Sequence, residues 1–341
     1  MRDSKHEEKS DLTSGEVGYL WESYQYESMQ YIGIQFFLQH VHDKQTEKLL
    51  QKAMNLSEKR INQIQTIFTE EDYPIPEGYS EGDVNLKAPR LFSDKLYLKY
   101  LLHTLQMESV FYSSAMLGVV KFPIQRFYQE IMQDTLKLEM ATKELVKSRG
   151  LYLRSPKVSQ PKTICFVEKD SFLSGWFGDK RPLLAIEIEA LVFNAKRNAL
   201  GEAVITAFCQ VAKSKEVRQY FMKGKAIAKK HVDIFTEFLR EDDLDSSTLL
   251  LTDEVTASTE SPFSDKFMMN FITLLITSGL GEYGSSMAMS PRRDIGMMYA
   301  RLMAEIAKYS NSGAGLLIKN GWMEHPPMAI DREKIIKKES E

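Results

Sequence analysis

The sequence predicts an all-α protein built as two tandem four-helix bundles. Three observations carry that expectation: apolar residues recur at helical spacing almost throughout, helix-ending residues punctuate the pattern, and the whole pattern is stated twice. Phe92-Ser93-Asp94-Lys95 returns as Phe263-Ser264-Asp265-Lys266, 171 residues further on, and the same spacing carries Gln39 onto Gln210, Ile124 onto Ile295, Gly150 onto Gly321 and Pro156 onto Pro327. A register held that far without a gap marks an internal duplication.

Within the first repeat the elements follow in order. The first helix places Leu20, Tyr24, Ser28, Tyr31 and Leu38 on one stripe, with Met29, Ile32 and Phe36 beside it. The second carries Leu49, Leu50, Ala53, Leu56, Ile61, Ile64 and Phe68 at three-and-four spacing. Leu96, Tyr100, Leu101, Leu105, Tyr112, Ala115 and Met116 mark the third, and Ile124, Phe127, Ile131, Leu138 and Leu145 the fourth. Helices of about 27 residues are about 40 Å long, a length that suits a bundle.

The boundaries have chemistry behind them. Ser93 and Ser264 read as N-caps, each followed by an aspartate where a carboxylate meets the positive end of the helix dipole. Pro123 and Pro291 fall where the fourth helix should begin. Gly150 and Gly321 read as the glycines that end it, with Pro156 and Pro327 beyond them as stops.

Connection lengths set the topology. The first-to-second and third-to-fourth joins are a few residues, so those pairs form antiparallel hairpins. Between Glu70 and Ser93 runs a Pro- and Gly-containing stretch without helical period. Extended at roughly 3.3 Å per residue it is ample to span a 40 Å helix. Leu244 to Pro262 is its Ser/Thr-rich counterpart. One long crossover between two hairpins is the up-down-down-up, ferritin-like connection. The expected organisation is a polar tail over 1–14, a ferritin-like bundle over 15–156, a linker over 157–182, a second bundle over 183–327 and a charged tail over 328–341. The linker carries Phe172-Leu173-Ser174-Gly175-Trp176-Phe177. That aromatic run is expected to pack in a groove between the domains, with a partner or membrane-surface anchor as the sharper alternative.

Composition narrows the class of function. The chain has 341 residues, 43% hydrophobic and 27% charged, with a net charge of −3, which leaves no footprint for nucleic acid or an anionic membrane. The two cysteines, Cys165 and Cys209, are far apart, which argues against a disulfide framework or a thiolate zinc site. No run approaches the roughly 18 apolar residues of a transmembrane segment, and no secretory leader is visible. The expected compartment is cytoplasmic, and the expected partners are unidentified proteins, self-association included.

Several stretches together resemble a known family: Leu86-Lys87-Ala88-Pro89-Arg90-Leu91-Phe92-Ser93-Asp94, Val211-Ala212-Lys213-Ser214-Lys215-Glu216-Val217-Arg218, Ser261-Pro262-Phe263-Ser264-Asp265-Lys266 and Gly321-Trp322-Met323-Glu324-His325-Pro326-Pro327. They are similar to the tandem-repeat proteins of the domain of unknown function 3231 family of spore-forming Gram-positive bacteria. The resemblance implies a ferritin-like bundle in each half, a distant likeness to coat F-type spore coat proteins and a spore or stress setting. It implies no activity and no catalytic residues.

A ferritin-like bundle raises the di-iron question, which requires Glu-x-x-His on two of the helices. None of His6, His40, His42, His103, His231 and His325 has a glutamate three positions earlier, so no cofactor is expected. A weaker constellation lies in the second repeat: Glu202, His231, Glu282 and Glu305 each fall on or beside a core stripe of a different helix. Three carboxylates and an imidazole suit one transition metal ion. The matching positions of the first repeat are Tyr31, Arg60, Phe111 and Asp134, so the site would be peculiar to the C-terminal bundle. Ordinary salt bridges to Lys229, Lys230 and Arg301 are the competing reading. In the first repeat Glu27 and Glu108 lie on core stripes near Arg60 and Tyr31, the pattern of a buried Arg–carboxylate network. The expected function is therefore that of a structural or interaction protein without catalysis. The alternative is a metal or small-ligand site inside the C-terminal bundle.

Overall fold

The structure, a computed structural model, describes residues 12–176, 180–244, 251–333 and 336. The polar tail up to Asp11, residues 177–179 with Phe177 of the aromatic run, crossover residues 245–250 and residues 334, 335 and 337–341 of the C-terminal tail lie outside the described residues. Eight long helices are described: α1 Ser14–His40, α2 Lys44–Glu70, α3 Asp94–Gly118, α4 Phe122–Ser148, α5 Ala185–Val211, α6 Lys215–Arg240, α7 Asp265–Ala288 and α8 Arg293–Lys319. Ser93 and Ser264 cap α3 and α7 as expected, each side-chain oxygen accepting an amide N–H from the first turn. Pro123 stands in the first turn of α4, whereas Pro291 precedes α8 and Arg292 takes the cap. Gly150 and Gly321 follow α4 and α8 with φ of 66° and 67°, a conformation that a side chain would strain.

Hydrogen bonds at the helix ends show how each set of four helices is wound. Glu16, in the first turn of α1, accepts the amide N–H groups of Val120 and Lys121 at 3.0 and 2.6 Å. The Lys121 ammonium reaches Glu71, at the close of α2, at 2.6 Å. At the opposite end Asp94 opens α3 and accepts the N–H groups of His42 and Asp43 from the α1–α2 turn at 3.1 and 2.8 Å. α1 thus starts where α2 and α3 end and α4 begins. This is an up-down-down-up order, and the segment after Glu71 runs the length of the unit. The second unit repeats these ties. Arg292 N–H donates to Glu187 at 3.2 Å, and Lys213 and Ser214 donate to Asp265 at 3.1 and 2.8 Å.

The two units are joined through a common core. Each long crossover pairs with the other, in two antiparallel bridges, Val84 with Phe263 and Phe92 with Val255. These are the same pair of positions exchanged between the repeats. Asp83 accepts the Ser264 hydroxyl at 2.6 Å while Glu254, its equivalent, accepts the Ser93 hydroxyl at 2.6 Å. Backbone bonds of 2.8 to 3.0 Å complete the exchange: Asn85 N–H to Pro262, Ser264 N–H to Asp83, Ser93 N–H to Glu254 and Thr256 N–H to Leu91. The repeated Phe-Ser-Asp-Lys motif therefore lies at the joint. Behind it one apolar cluster takes in Phe36, Phe37 and Tyr97 from the first unit with Phe208, Phe263 and Phe267 from the second. Phe36 meets Phe263 edge-on at 5.4 Å and Tyr79 meets Phe267 at 5.6 Å. Smaller clusters close the outer end of each unit.

The aromatic linker run does not lie between the units. It folds onto the outer end of the second, where the Arg181 guanidinium sits 4.4 Å from the centre of the Phe172 ring and its Nε donates to the Phe172 carbonyl at 2.9 Å. The reason is electrostatic. Arg181 is held there by two bonds to the buried Glu187, at 2.7 and 2.8 Å. Gly175 lies so close to Asp294 that a Cβ would collide with its carboxylate. Among the described residues no helix is long and apolar enough to cross a membrane.

Candidate functional site between the repeats

The structure brings together two of the four expected metal ligands. His231 is fully buried on α6; its Nε2 lies 3.2 Å from Glu305 and its Nδ1 lies 2.9 Å from the Tyr283 hydroxyl. Glu305 is also claimed by the Lys230 ammonium at 2.9 Å. Glu202 is elsewhere on the bundle, within the field of Lys229 and Lys225. Glu282 faces away from the bundle interior, into the space between the repeats. Among the described residues no group of three or more His, Cys, Asp and Glu is placed to hold a metal ion. The interior of the second unit leaves about 70 Å³ between Gly224, Gly279 and their neighbours, roughly two water volumes at about 30 Å³ each.

In the first unit the expected Arg–carboxylate network is present and extends further than its sequence suggests. Arg60 Nη1 donates to Glu27 at 2.8 Å and to Glu108 at 3.1 Å, while Nη2 donates to Thr135 at 2.7 Å. The Tyr112 hydroxyl donates to Glu27 and the Tyr26 hydroxyl to Glu108, the latter at 3.0 Å. Tyr31 takes no part in these bonds. α1, α2, α3 and α4 each contribute a side chain, so the guanidinium supplies the positive charge at the centre of the bundle. Burial, opposed by Arg60 and reinforced by Glu27, leaves the Glu108 carboxyl above the usual range. The equivalents in the second unit are Asn198, His231, Gly279 and Ile306, so the network is confined to one half.

A larger space lies between the units, where α1 and α3 of the first face α7 of the second. It measures about 720 Å³, in the range of small-molecule sites, and its walls are mainly apolar. Met107, Phe111, Phe271, Leu274 and Leu275 supply much of the lining. Equivalent residues meet each other beside it. Ser278 donates to the Met107 sulfur at 3.2 Å, and Tyr100 stacks on Phe271 at 5.7 Å. The cavity therefore lies at the local twofold axis that relates the repeats. Its ionisable groups are the Tyr26–Glu108 pair, Glu22, Glu282 and His103, with neutral Gln30 and several serine and threonine side chains beside them.

His103 is unusual among them. It is 8% exposed, and among the described residues nothing hydrogen-bonds its ring. Burial, with the Arg197 charge adding to it, lowers its pKa to about 3, so at neutral pH the imidazole is uncharged and keeps a free lone pair. His103 lies on the α3 stripe between Tyr100 and Met107, and the repeat aligns it with Leu274. A histidine on an apolar stripe, opposite a leucine in the second copy, is the signal the sequence held for it.

A family model for proteins of unknown function (DUF3231) matches residues 2–164 and, a second time, residues 171–335. The chain belongs to the DUF3231 family. Each copy of the DUF3231 domain supplies one of the two units, and the cavity is formed where the copies meet. A solved structure of a candidate spore coat protein from Bacillus halodurans C-125 is similar at 15% identity and a TM-score of 0.40, covering 44% of this chain and 98% of that one. No curated protein matches the chain.

Proposed function

We propose that this DUF3231 protein acts by binding, without catalysis: two ferritin-like units fused into one scaffold that holds a small apolar molecule at the axis between them. The observation that carries this reading is the 720 Å³ apolar cavity with the buried, unpartnered His103 in its wall. His103 has no hydrogen-bond partner within the described residues, and a ligand in the cavity can offer its imidazole one while burying its own apolar surface. Glu27, Glu108 and Thr135 are already committed to Arg60. The spore or stress setting implied by the family resemblance is part of this reading, and absence of the protein from purified spores of its source would remove the spore part.

Gly281 provides the test. It lines the cavity in the interior of α7, and a Cβ there would meet nothing within 4 Å. Gly281→Phe fills the space while replacing a poor helix former, with an expected stability change of about 0.5 kcal/mol in favour of the variant. Wild type should bind the neutral dye Nile red with a blue-shifted emission, and Gly281→Phe should bind it at least about tenfold more weakly at an undiminished melting temperature. Equal dye binding by the two proteins would refute the proposal.

A further inference from the structure

A second crevice, which shares His103 with the axis cavity, opens where α3 and α4 of the first unit meet α5 of the second. It measures about 340 Å³, roughly eleven water volumes at about 30 Å³ each. Leu102, Val146, Tyr152 and Phe193 form its apolar walls, and Lys99, Lys143, Lys196 and Arg197 face it against one carboxylate, Glu189. Lys143 pairs with Glu139 at 2.5 Å, and Glu189 accepts the Ser155 hydroxyl, a bond that leaves its negative charge in the crevice. Lys99, Lys196 and Arg197 make no ion pair among the described residues. Arg197 bonds only to the Leu275 carbonyl and the Ser278 hydroxyl, and its Nε has no partner. Partial burial holds both lysines below their usual range; Lys95 and Lys196 lower Lys99 further against Glu254, and Glu189 opposes the shift at Lys196. Three half-buried cations share the crevice with one lining carboxylate, Glu189, while Glu254 and Glu282 act on Lys99 and Arg197 from beyond ion-pair distance; the excess of positive charge is one that an anion would relieve.

The other repeat shows what such a place takes. Under the 171-residue spacing Lys99 corresponds to Asn270, Lys196 to Gln25, Leu151 to Trp322 and Leu153 to Glu324. There the chain fills the crevice itself. The Glu324 carboxylate accepts from the Gln25 side-chain amide and from the N–H groups of Glu77 and Gly78, the latter two at 2.8 and 3.3 Å. The Asn270 side chain donates to the Trp322 carbonyl at 3.4 Å. In the first crevice Leu153 stands where that glutamate would be, and the neutral donor Gln25 is replaced by a cation, Lys196.

We propose that the Lys99–Lys196 crevice binds an amphiphilic anion from outside, its acidic head between Lys99, Lys196 and Arg197 and its apolar body along Leu102, Val146, Tyr152 and Phe193. The head occupies the place that Glu324 takes in the other half.

Calorimetric titration of the full chain tests this with decanoate, decyl phosphate and decanol. Decanoate or decyl phosphate should bind at least about tenfold more tightly than decanol, and the tighter of the two identifies the head as carboxylate or phosphate. Lys99→Met/Lys196→Met keeps the apolar stems and removes the charges. It should lose at least about tenfold in affinity for the anion, bind decanol as wild type does, and melt no lower. Anion binding equal to decanol binding, an unaffected double variant, or no anion binding up to about 1 mM would each overturn the proposal. Gly281→Phe supplies the remaining check: it should leave anion binding intact, and loss of binding there would place the ligand in the axis cavity and overturn the assignment.

Discussion

Replacing Arg60 by methionine removes the one cation from the centre of the first unit and leaves two carboxylates behind. Arg60 is 2% exposed, Glu27 is 0% and Glu108 is 7%, so neither acid can turn to water. Breaking a buried pair from one side costs about 3–5 kcal/mol, because the partner stays buried and unpaired. Here the acids have an escape, which is to take up protons. Glu108 is already held above its usual range by burial and by Glu27, with Arg60 opposing. Without Arg60 its proton affinity rises further. A carboxyl whose folded pKa is raised binds more protons folded than unfolded. Its penalty is therefore absent below the unfolded value of about 4.3 and grows as pH rises, by about 1.4 kcal/mol per pH unit until the folded pKa is passed. Urea unfolding followed by circular dichroism should show Arg60→Met destabilised by about 3–5 kcal/mol at pH 8 and by distinctly less at pH 5. A loss under about 1 kcal/mol, or an equal loss at the two pH values, would show that the guanidinium is not the counter-charge of these acids.

Two further outcomes follow from other parts of the molecule. His103 has a folded pKa of about 3 against about 6.5 unfolded, so the unfolded chain binds the extra proton and stability falls as pH drops below about 6.5, by about 2 kcal/mol at pH 5. His103→Leu, which installs the residue of the equivalent position 274, should flatten the stability profile between pH 7 and pH 5, and an unchanged slope would count against the burial of an uncharged imidazole. The first repeat expressed alone, residues 1–156, exposes the face built by Phe36, Phe37 and Tyr97 and carries both halves of the crossover exchange. It should form a twofold dimer by light scattering, with Asp83 meeting Ser93 of the other copy, and a monodisperse monomer at high concentration would argue that the shared core is dispensable.

The helices were legible from residues because their causes are local. Ser93, Ser264, Gly150 and Gly321 act within one turn of their own positions, so the pattern that names them also locates them. The Arg60 network was legible in part, since Glu27, Arg60 and Glu108 interrupt apolar stripes. The metal constellation was legible only as four wheel positions, of which the structure brings His231 and Glu305 together. A wheel position says that Glu282 lies near a stripe, but whether it turns into its own bundle or out towards a neighbour depends on what packs there. Glu16 and Glu187 went unread because each ties its own helix start to a turn more than 100 residues away, beyond any local period.

Residues alone determined two units of four helices, their boundaries and the existence of a duplication, since periodicity and capping are properties of short stretches of chain. The tertiary structure alone decided that the copies share one core, that each crossover bonds the cap serine of the other copy's third helix, and that a cavity and a cationic crevice lie between them. A stripe that faces a partner unit has the same composition as one that faces its own bundle, because both exclude water equally. Only three-dimensional packing distinguishes them.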